Sequence, residues 1–395
     1  MTDNLYFERK YRTLMEDNQQ NKPASLTRQK FIKKAAIAAV AGTSAWIAGC
    51  KDEQKSSNGP AIQSRKTYRW NMVTTWPPNF PVLGEGCNAL AKFVEEASEG
   101  QMKINVYGGG ELIPALEVFD AVSSGTAEMG HAGSYYWAGK AEATQLFSTI
   151  PFGMNAQEMN SWMLFGGGVD LWRELYSQFN LHPFLAGNTG VQMAGWFNRE
   201  INSLADFKGL KMRIPGLGGK VLSQVGGTAI NLPGGDLYTS LERGVIDATE
   251  WIGPYHDYLM GFHEIAKYYY APGWHEPGST LELIINKQKF DALPNNLQRI
   301  LEAAALRLNM LSLAEFDKQN AIYMEKIKSE TKVEVRFLPL DVLDGLRNAT
   351  KEIVQDLIER DSFSSKVYES FSQYKKRMDD WMNYTEKAYY NLISV

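Results

Sequence analysis

The stretch Asp247-Ala248-Thr249-Glu250-Trp251-Ile252-Gly253-Pro254-Tyr255 places an acid beside an indole at the end of a strand-like run and just before a Pro-opened helix. A ligand of an α/β sheet binds beyond the carboxyl ends of the strands. Glu250 and Trp251 are therefore read as the floor of a cleft. A carboxylate in a setting rich in Trp, Gly and Pro must be solvated, paired with a cationic side chain or bound to a cation. Spacing alone leaves those choices open.

Outward from that stretch, the chain alternates strand and helix signals twice. Tyr68–Thr74, Met102–Tyr107 and Ala127–Ala132 read as strands, separated by helices over Leu83–Ser98 and Leu116–Val122. A second alternation holds strands at Lys211–Ile214, Thr228–Leu232 and Val245–Thr249, with helices at Pro215–Val225 and Asp236–Arg243. Such alternation predicts parallel sheets with helices on their faces. The expected architecture is α/β, with two lobes and a ligand cleft between them. Thr280–Asn286 is an apolar strand expected to cross back to the first sheet, and Asn295–Lys328 is a helix signal about 50 Å long, enough to span both lobes. The expected division is residues 67–187 plus 282–318 for lobe I and 188–281 plus 319–364 for lobe II. Residues 365–395 form an additional C-terminal helix whose aromatics (Phe371, Trp381, Tyr389 and Tyr390) need a partner surface, either the chain's own core or a second copy.

Residues 1–66 read as export signal and tether. The basic stretch Arg28 to Lys34 precedes a predominantly apolar run of 14 residues, Ala35–Ala48, too short to span a bilayer and suited to a signal core. Ile47-Ala48-Gly49-Cys50 resembles a lipoprotein processing box, so Cys50 is expected to carry lipid, with an uncleaved anchor as the alternative; either places the body outside the cytoplasm. The basic stretch also resembles a twin-arginine signal with Gln29 in the second arginine's place. Lys51–Lys66 lacks periodicity and reads as a flexible tether. With only two Cys, Cys87 has no expected partner and falls at helical spacing among apolar residues, a buried thiol.

The formal net charge is −4 and no basic run is interleaved with aromatics, which argues against nucleic acid. The triple glycine Gly108–Gly110 lacks the Lys-Ser/Thr of a phosphate loop and reads as a tight turn. His256 and His263 are seven apart, not the three or four that put two ligands on one helical face, and His131, His182 and His275 are isolated. Glu250 and Glu276 could do acid–base work, but no nucleophile or histidine–metal set goes with them. An enzyme acting through those two acids is kept only as the contrasting class.

Candidate binding residues are few. Arg213, on a short strand two residues before Pro215, offers a planar fork that matches a carboxylate, or is a surface arginine. Gln192 lies in the apolar run Val191–Phe197, exposed by alternation or facing a pocket. Glu276, in Trp274-His275-Glu276-Pro277, has the character of Glu250, or is an ordinary loop acid. Two carboxylates and an amide make an oxygen set for a hard cation such as Na⁺ or Ca²⁺. Ser134-Tyr135-Tyr136-Trp137 falls at a strand's carboxyl end, as cleft wall or as core.

Two long stretches, Gly110–Gly130 and Gly235–Pro254, resemble the solute-binding proteins of tripartite ATP-independent periplasmic (TRAP) transporters, the DctP family. The resemblance runs from about Tyr68 to the C-terminus. Ala248-Thr249-Glu250-Trp251 and Gly187–Gln192 are similar to the branch that binds 2-oxoacids such as pyruvate. The resemblance implies a periplasmic-binding-protein-like fold of two lobes that close on a ligand, and delivery to membrane permease subunits. It implies that Arg213 grips the substrate carboxylate and that Gln192, Glu250 and the main-chain carbonyl of Trp251 meet a cation and the ligand. Glu276 falls at a further cation- or ligand-facing position, and Tyr135 is a weaker substrate-binding assignment. Dimers that exchange a C-terminal helix also occur in the branch. A lipobox departs from the family's usual N-terminus. The expected ligand is a small monocarboxylate, with lactate plus Ca²⁺ or a sugar acid as the alternatives.

Overall fold

Two sheets carry the architecture, and the chain passes between them three times, after Asn188, after Ala271 and after Asn286. The computed structural model describes residues 66–393; the export signal, Cys50 and most of the tether lie outside the described residues. The first sheet has the order β2-β1-β3-β10-β4, built from β1 (Tyr68–Thr74), β2 (Met102–Tyr107), β3 (Met129–Gly133), β4 (Leu181–Asn188) and β10 (Thr280–Asn286). The second has the order β11-β9-β5-β8-β6-β7, from β5 (Gly195–Phe197), β6 (Lys211–Arg213), β7 (Thr228–Ile230), β8 (Ala248–Thr249), β9 (Tyr268–Ala271) and β11 (Glu334–Phe337).

β1 pairs in parallel with β2 and β3, and β6 with β7 and β8, as the alternation predicts. Each sheet is nonetheless mixed, because not every strand joins the parallel set. β10 runs antiparallel to β3 and β4, and β5 antiparallel to β8 and β9. The cause is the crossing itself. A chain that leaves the first sheet after β4 and returns as β10 enters from the opposite end, so the returning strand must point the other way.

The helices follow their apolar spacing. Helix Gly84–Ala97 buries Cys87, Leu90, Ala91 and Val94 at intervals of three and four, and Gly100, at φ +77°, follows its end. Helix Ala156–Phe165 opens on a capping box, with the Asn155 side chain accepting from Glu158 N at 3.0 Å and Glu158 returning the bond to Asn155 N at 2.8 Å. Helix Asn295–Glu330 has 36 residues, about 54 Å. It packs on β4 and helix Gly84–Ala97 at one end, and its Phe316 and Tyr323 meet His256 and Tyr255 of helix Pro254–Leu259 at the other. It therefore ties the two lobes together. None of the helices among the described residues is long and apolar enough to cross a membrane.

One apolar core runs between the sheets, from Met72, Leu83 and Leu283 to Trp196, Tyr269 and Phe316. Two more cover the outer faces. Beyond the first sheet, Phe147 stacks with Trp162 and Trp172, and Phe371 meets Trp162 edge-on; beyond the second, Phe197, Met212 and Val221 meet Val342 and Leu346. The C-terminal helix expected over 365–395 begins at Ser362, breaks after Met382 and resumes as Glu386–Leu392. Its first part closes on the chain's own core. Val367 and Phe371 are buried, and Trp162 Nε1 donates to Ser370 Oγ at 3.1 Å. Tyr384, Tyr389 and Tyr390 stay exposed.

Candidate functional site

The crossing segments after β4 and after β9 run side by side, and that places the first pair of site residues. Gln192 N donates to Glu276 O at 3.1 Å and Gly273 N to Gln192 O at 2.8 Å. A Cβ on Gly273 would sit 2.3 Å from the Gln192 carbonyl oxygen, so only glycine lets the backbones approach this closely. The second pair comes from the carboxyl ends of β6 and β8, where Arg213 lies opposite Thr249 and Glu250 follows. From the first lobe, the chain after β3 turns through Ser134–Trp137 and brings Tyr135 and Tyr136 to the same place.

These residues form one buried cluster. Arg213 and Glu250 are each 1% exposed and form a salt bridge through Arg213 Nη1 and Glu250 Oε1. Further guanidinium N–H groups donate to Glu250 O at 3.4 Å through Nη1, to Leu232 O at 3.2 Å through Nε and to the Tyr136 hydroxyl at 3.1 Å through Nη2. The guanidinium also lies 5.3 Å from the centre of the Trp251 ring. Trp251 is wedged edge-on between Trp76 and Phe80, each 6.4 Å away, and over Gly234, where a Cβ would fall 2.5 Å from the indole. Glu276 accepts from Gln192 Nε2 at 2.7 Å and from Ser279 Oγ. Thr189 Oγ1 takes the other Gln192 Nε2 bond at 3.1 Å.

Burial, and then the negative charge of Glu250, push the Glu276 carboxyl up to about 7. Burial likewise holds the Tyr135 and Tyr136 hydroxyls above the ordinary tyrosine value, with the Glu276 charge adding to the effect at Tyr135. Both tyrosines are therefore neutral, able to donate a hydrogen bond as well as accept one.

All six residues singled out from the sequence (Tyr135, Gln192, Arg213, Glu250, Trp251 and Glu276) are buried in this region. Three further features were not legible. Tyr136, not Tyr135, bonds Arg213, and two adjacent tyrosines offer no signal to choose between them. Thr189 and Ser279 support Gln192 and Glu276 from the crossing segments. Sequence spacing leaves His275 isolated, but its Nε2 lies 3.5 Å from Glu250 Oε2, and ligand atoms of Glu250, His275 and Glu276 fall within 4.8 Å of one another. Its proximity to Glu276 in the chain was the available clue.

The oxygen-rich donor set suits a hard cation, and one detail of the structure supports that fit. Gln192 turns its amide nitrogen to Glu276 and Thr189. Its carbonyl oxygen Oε1 is buried with no hydrogen-bond partner among the described residues, as are both ring nitrogens of His275 and the indole nitrogen of Trp251. Buried polar atoms are rarely left in that state unless something else meets them.

The profile described as bacterial extracellular solute-binding protein, family 7 (DctP), matches residues 72–361. The chain belongs to that family. It is a periplasmic solute-binding protein of the TRAP type. The monocarboxylate 2-oxoacid-binding periplasmic protein of Nostoc sp. is 37% identical over 357 residues, covering 90% of this chain and 97% of the relative. A TRAP periplasmic solute-binding protein from Colwellia psychrerythraea, solved with calcium and pyruvate, is 41% identical with a TM-score of 0.80 over 82% of this chain and 99% of its own. Another from Pseudoalteromonas atlantica, solved with sodium and pyruvate, is also 41% identical, with a TM-score of 0.81 over 83% of this chain and 100% of its own. The family is one of transport receptors, and the fold expected from the sequence, two α/β lobes of the periplasmic-binding-protein kind, is the one it has.

Proposed function

We propose that this receptor binds a small monocarboxylate, a 2-oxoacid such as pyruvate, together with Na⁺ or Ca²⁺, and delivers it to the membrane permease subunits of a TRAP transporter. The observation that carries the reading is the buried Arg213 fork held beside Glu250 and Glu276, next to the unpartnered Gln192 Oε1. In relatives of about 40% identity the corresponding ligands are pyruvate with calcium or sodium.

Arg213 neutralises the carboxylate and fixes its direction. Glu250, Glu276, the Gln192 carbonyl and the Trp251 main-chain carbonyl hold the cation. A cation there supplies positive charge for the acid's oxygens and offsets the mutual repulsion of the two glutamates. Trp251 covers the short apolar end of the ligand, and Tyr135 closes the wall from the first lobe. Closure, with the lobes divided as residues 67–187 plus 282–318 and 188–281 plus 319–364, excludes water and strengthens each charge contact. Lipid on Cys50 tethers the receptor beside its permease, and the exposed end of the C-terminal helix pairs two copies. The tether rests on the processing box at Ile47–Cys50, and the pairing on the resemblance to the family branch whose dimers exchange this helix.

Calorimetry against pyruvate, longer 2-oxoacids, lactate and sugar acids, each with and without Na⁺ and Ca²⁺, tests the proposal. Tight pyruvate binding that needs a cation is expected. Preference for lactate or a sugar acid would move the ligand class. Turnover of the bound acid would replace the receptor reading with an enzyme.

A further inference from the structure

Asp257 lies below the Glu250–Trp251 turn, in the first turn of helix Pro254–Leu259, and is 1% exposed. Its Oδ2 accepts from Trp196 Nε1 at 2.9 Å and from the Tyr269 hydroxyl at 2.7 Å. Those two donors are a cross-strand pair of β5 and β9, with rings stacked at 4.0 Å and 19°. They leave Oδ1 to accept from the main-chain N–H of Ile252 at 3.2 Å.

That N–H belongs to the peptide unit whose carbonyl is Trp251 O. The unit is trans and planar, so its N–H and C=O point in opposite directions. Fixing the N–H toward Asp257 aims the Trp251 carbonyl away from it. The following carbonyl, Ile252 O, is fixed separately by Met193 N at 3.2 Å. The same segment thus has its orientation set from both sides, one side by an acid anchored on the second sheet.

We propose that Asp257 is a positioning residue for the cation, acting through the Trp251 carbonyl; this rests on the cation site proposed above. Its hydrogen bond holds the carbonyl in the ligating direction and, by polarising the amide, makes the oxygen a better ligand. A carboxyl group in this place also spares the aromatic pair, whose indole and hydroxyl would otherwise be buried without acceptors. Outer-shell groups of this kind typically change metal affinity by about 10- to 100-fold when removed.

The test titrates Ca²⁺ into the intact receptor at fixed pyruvate for wild type, Asp257→Asn and Tyr269→Phe, with thermal unfolding of each protein without ligand. In Asp257→Asn the Ca²⁺ midpoint is expected to rise by about tenfold or more. Pyruvate affinity extrapolated to saturating Ca²⁺ should change far less, because the Arg213 contact is untouched. Tyr269→Phe keeps the acid but removes one of its two anchors, and should raise the midpoint by a smaller factor in the same direction. A merely structural Asp257 would lower thermal stability and weaken pyruvate binding without a selective change in the cation term, and that outcome overturns the proposal. So does a folded Asp257→Asn with an unchanged midpoint. Should Asp257→Asn fail to fold, Tyr269→Phe decides, and no shift there overturns it. Wild-type binding that ignores both Ca²⁺ and Na⁺ defeats the cation site and this inference together. Cation dependence equal in wild type and variants defeats this inference alone.

Discussion

Glu282 in the first sheet and the Glu250–Glu276 pair between the sheets are all carboxyl groups withdrawn from water, and their surroundings differ in kind. Glu282 accepts from Trp137 Nε1 at 2.5 Å and from the Tyr176 hydroxyl at 2.8 Å, both neutral donors. Burial pushes it up to about 8, so it is uncharged at neutral pH and each oxygen is met by the chain itself. Glu250 faces a permanent cation in Arg213, and around it Gln192 Oε1 and the nitrogens of His275 and Trp251 are left over. The difference teaches which buried acid marks a binding site. Burial alone does not; a protein can bury an acid by protonating it. On the proposed reading, unspent hydrogen-bonding capacity beside a fixed charge is what a ligand completes.

The strongest way to break that contrast is Arg213→Ala. Calorimetric affinity for pyruvate should fall by about 2–5 kcal/mol, the scale for truncating one partner of a buried charge pair. Unchanged affinity would remove the carboxylate assignment. Glu250→Gln comes next. It keeps the shape and removes the charge, so the cation requirement should weaken by more than the roughly tenfold expected of an outer-shell loss. A Ca²⁺ titration at fixed pyruvate reads it, and an unaltered midpoint would show that Glu250 serves only Arg213.

Glu282→Gln sharpens the contrast from the other side. The folded-state value is raised from 4.5 to about 8, so between those pH values the native chain holds a proton that the unfolded chain has lost. The resulting stability is full below about pH 4.5 and disappears as pH rises through 8. A glutamine can accept from the Trp137 indole through its carbonyl oxygen and donate its NH2 to the Tyr176 hydroxyl oxygen, without a charge. Urea unfolding from pH 5 to 9 should therefore show a shallower fall than wild type, and a more stable variant at the alkaline end. Pyruvate affinity should not move. A loss comparable to that of Glu250→Gln would place Glu282 inside the binding network.

Much of this was legible beforehand because it depends on local pattern. Cys87, Leu90 and Val94 at helical spacing, the strand-to-helix switch at Thr249–Pro254 and the mostly apolar run of β10, interrupted by Glu282, each announce their element. The site residues were legible where a polar group interrupts such a pattern, as Gln192 and Arg213 do. What stayed hidden depends on pairing between distant segments. Nothing in residues 188–194 or 272–279 says that they run side by side, so the Gln192–Glu276 contact and the place of His275 emerge only from the fold. The reversed strands β5 and β10 follow from the same crossings. The single helix expected at the C-terminus breaks at Asn383–Thr385, where Met382 is the last buried apolar residue before the exposed tyrosines Tyr384, Tyr389 and Tyr390.

The smallest expected effect concerns the rim of the cleft. Glu142, between the Ser134–Trp137 turn and helix Thr144–Ser148 of the first lobe, reaches Lys220 of helix Gly216–Gln224 at 3.4 Å and Arg360 at the end of helix Leu340–Arg360 at 2.6 Å. Both pairs lie beside a groove of about 580 Å³ lined by Tyr135, Tyr136, Pro215 and Lys220. They join the two lobes only when these stand close together, so they bias the receptor toward closure. Each partner is roughly a third to a half exposed, and pairs of that kind contribute only about 0.2–1 kcal/mol. Glu142→Gln should weaken pyruvate binding by about two- to fivefold at low salt, chiefly through faster release, and the deficit should shrink as ionic strength screens the pairs in the wild type. Stopped-flow release rates at two salt concentrations measure both. A salt-independent loss of tenfold or more would mean that Glu142 contributes to the buried charge network itself, and the line drawn between a solvated rim and a ligand-completed interior would have to move outward.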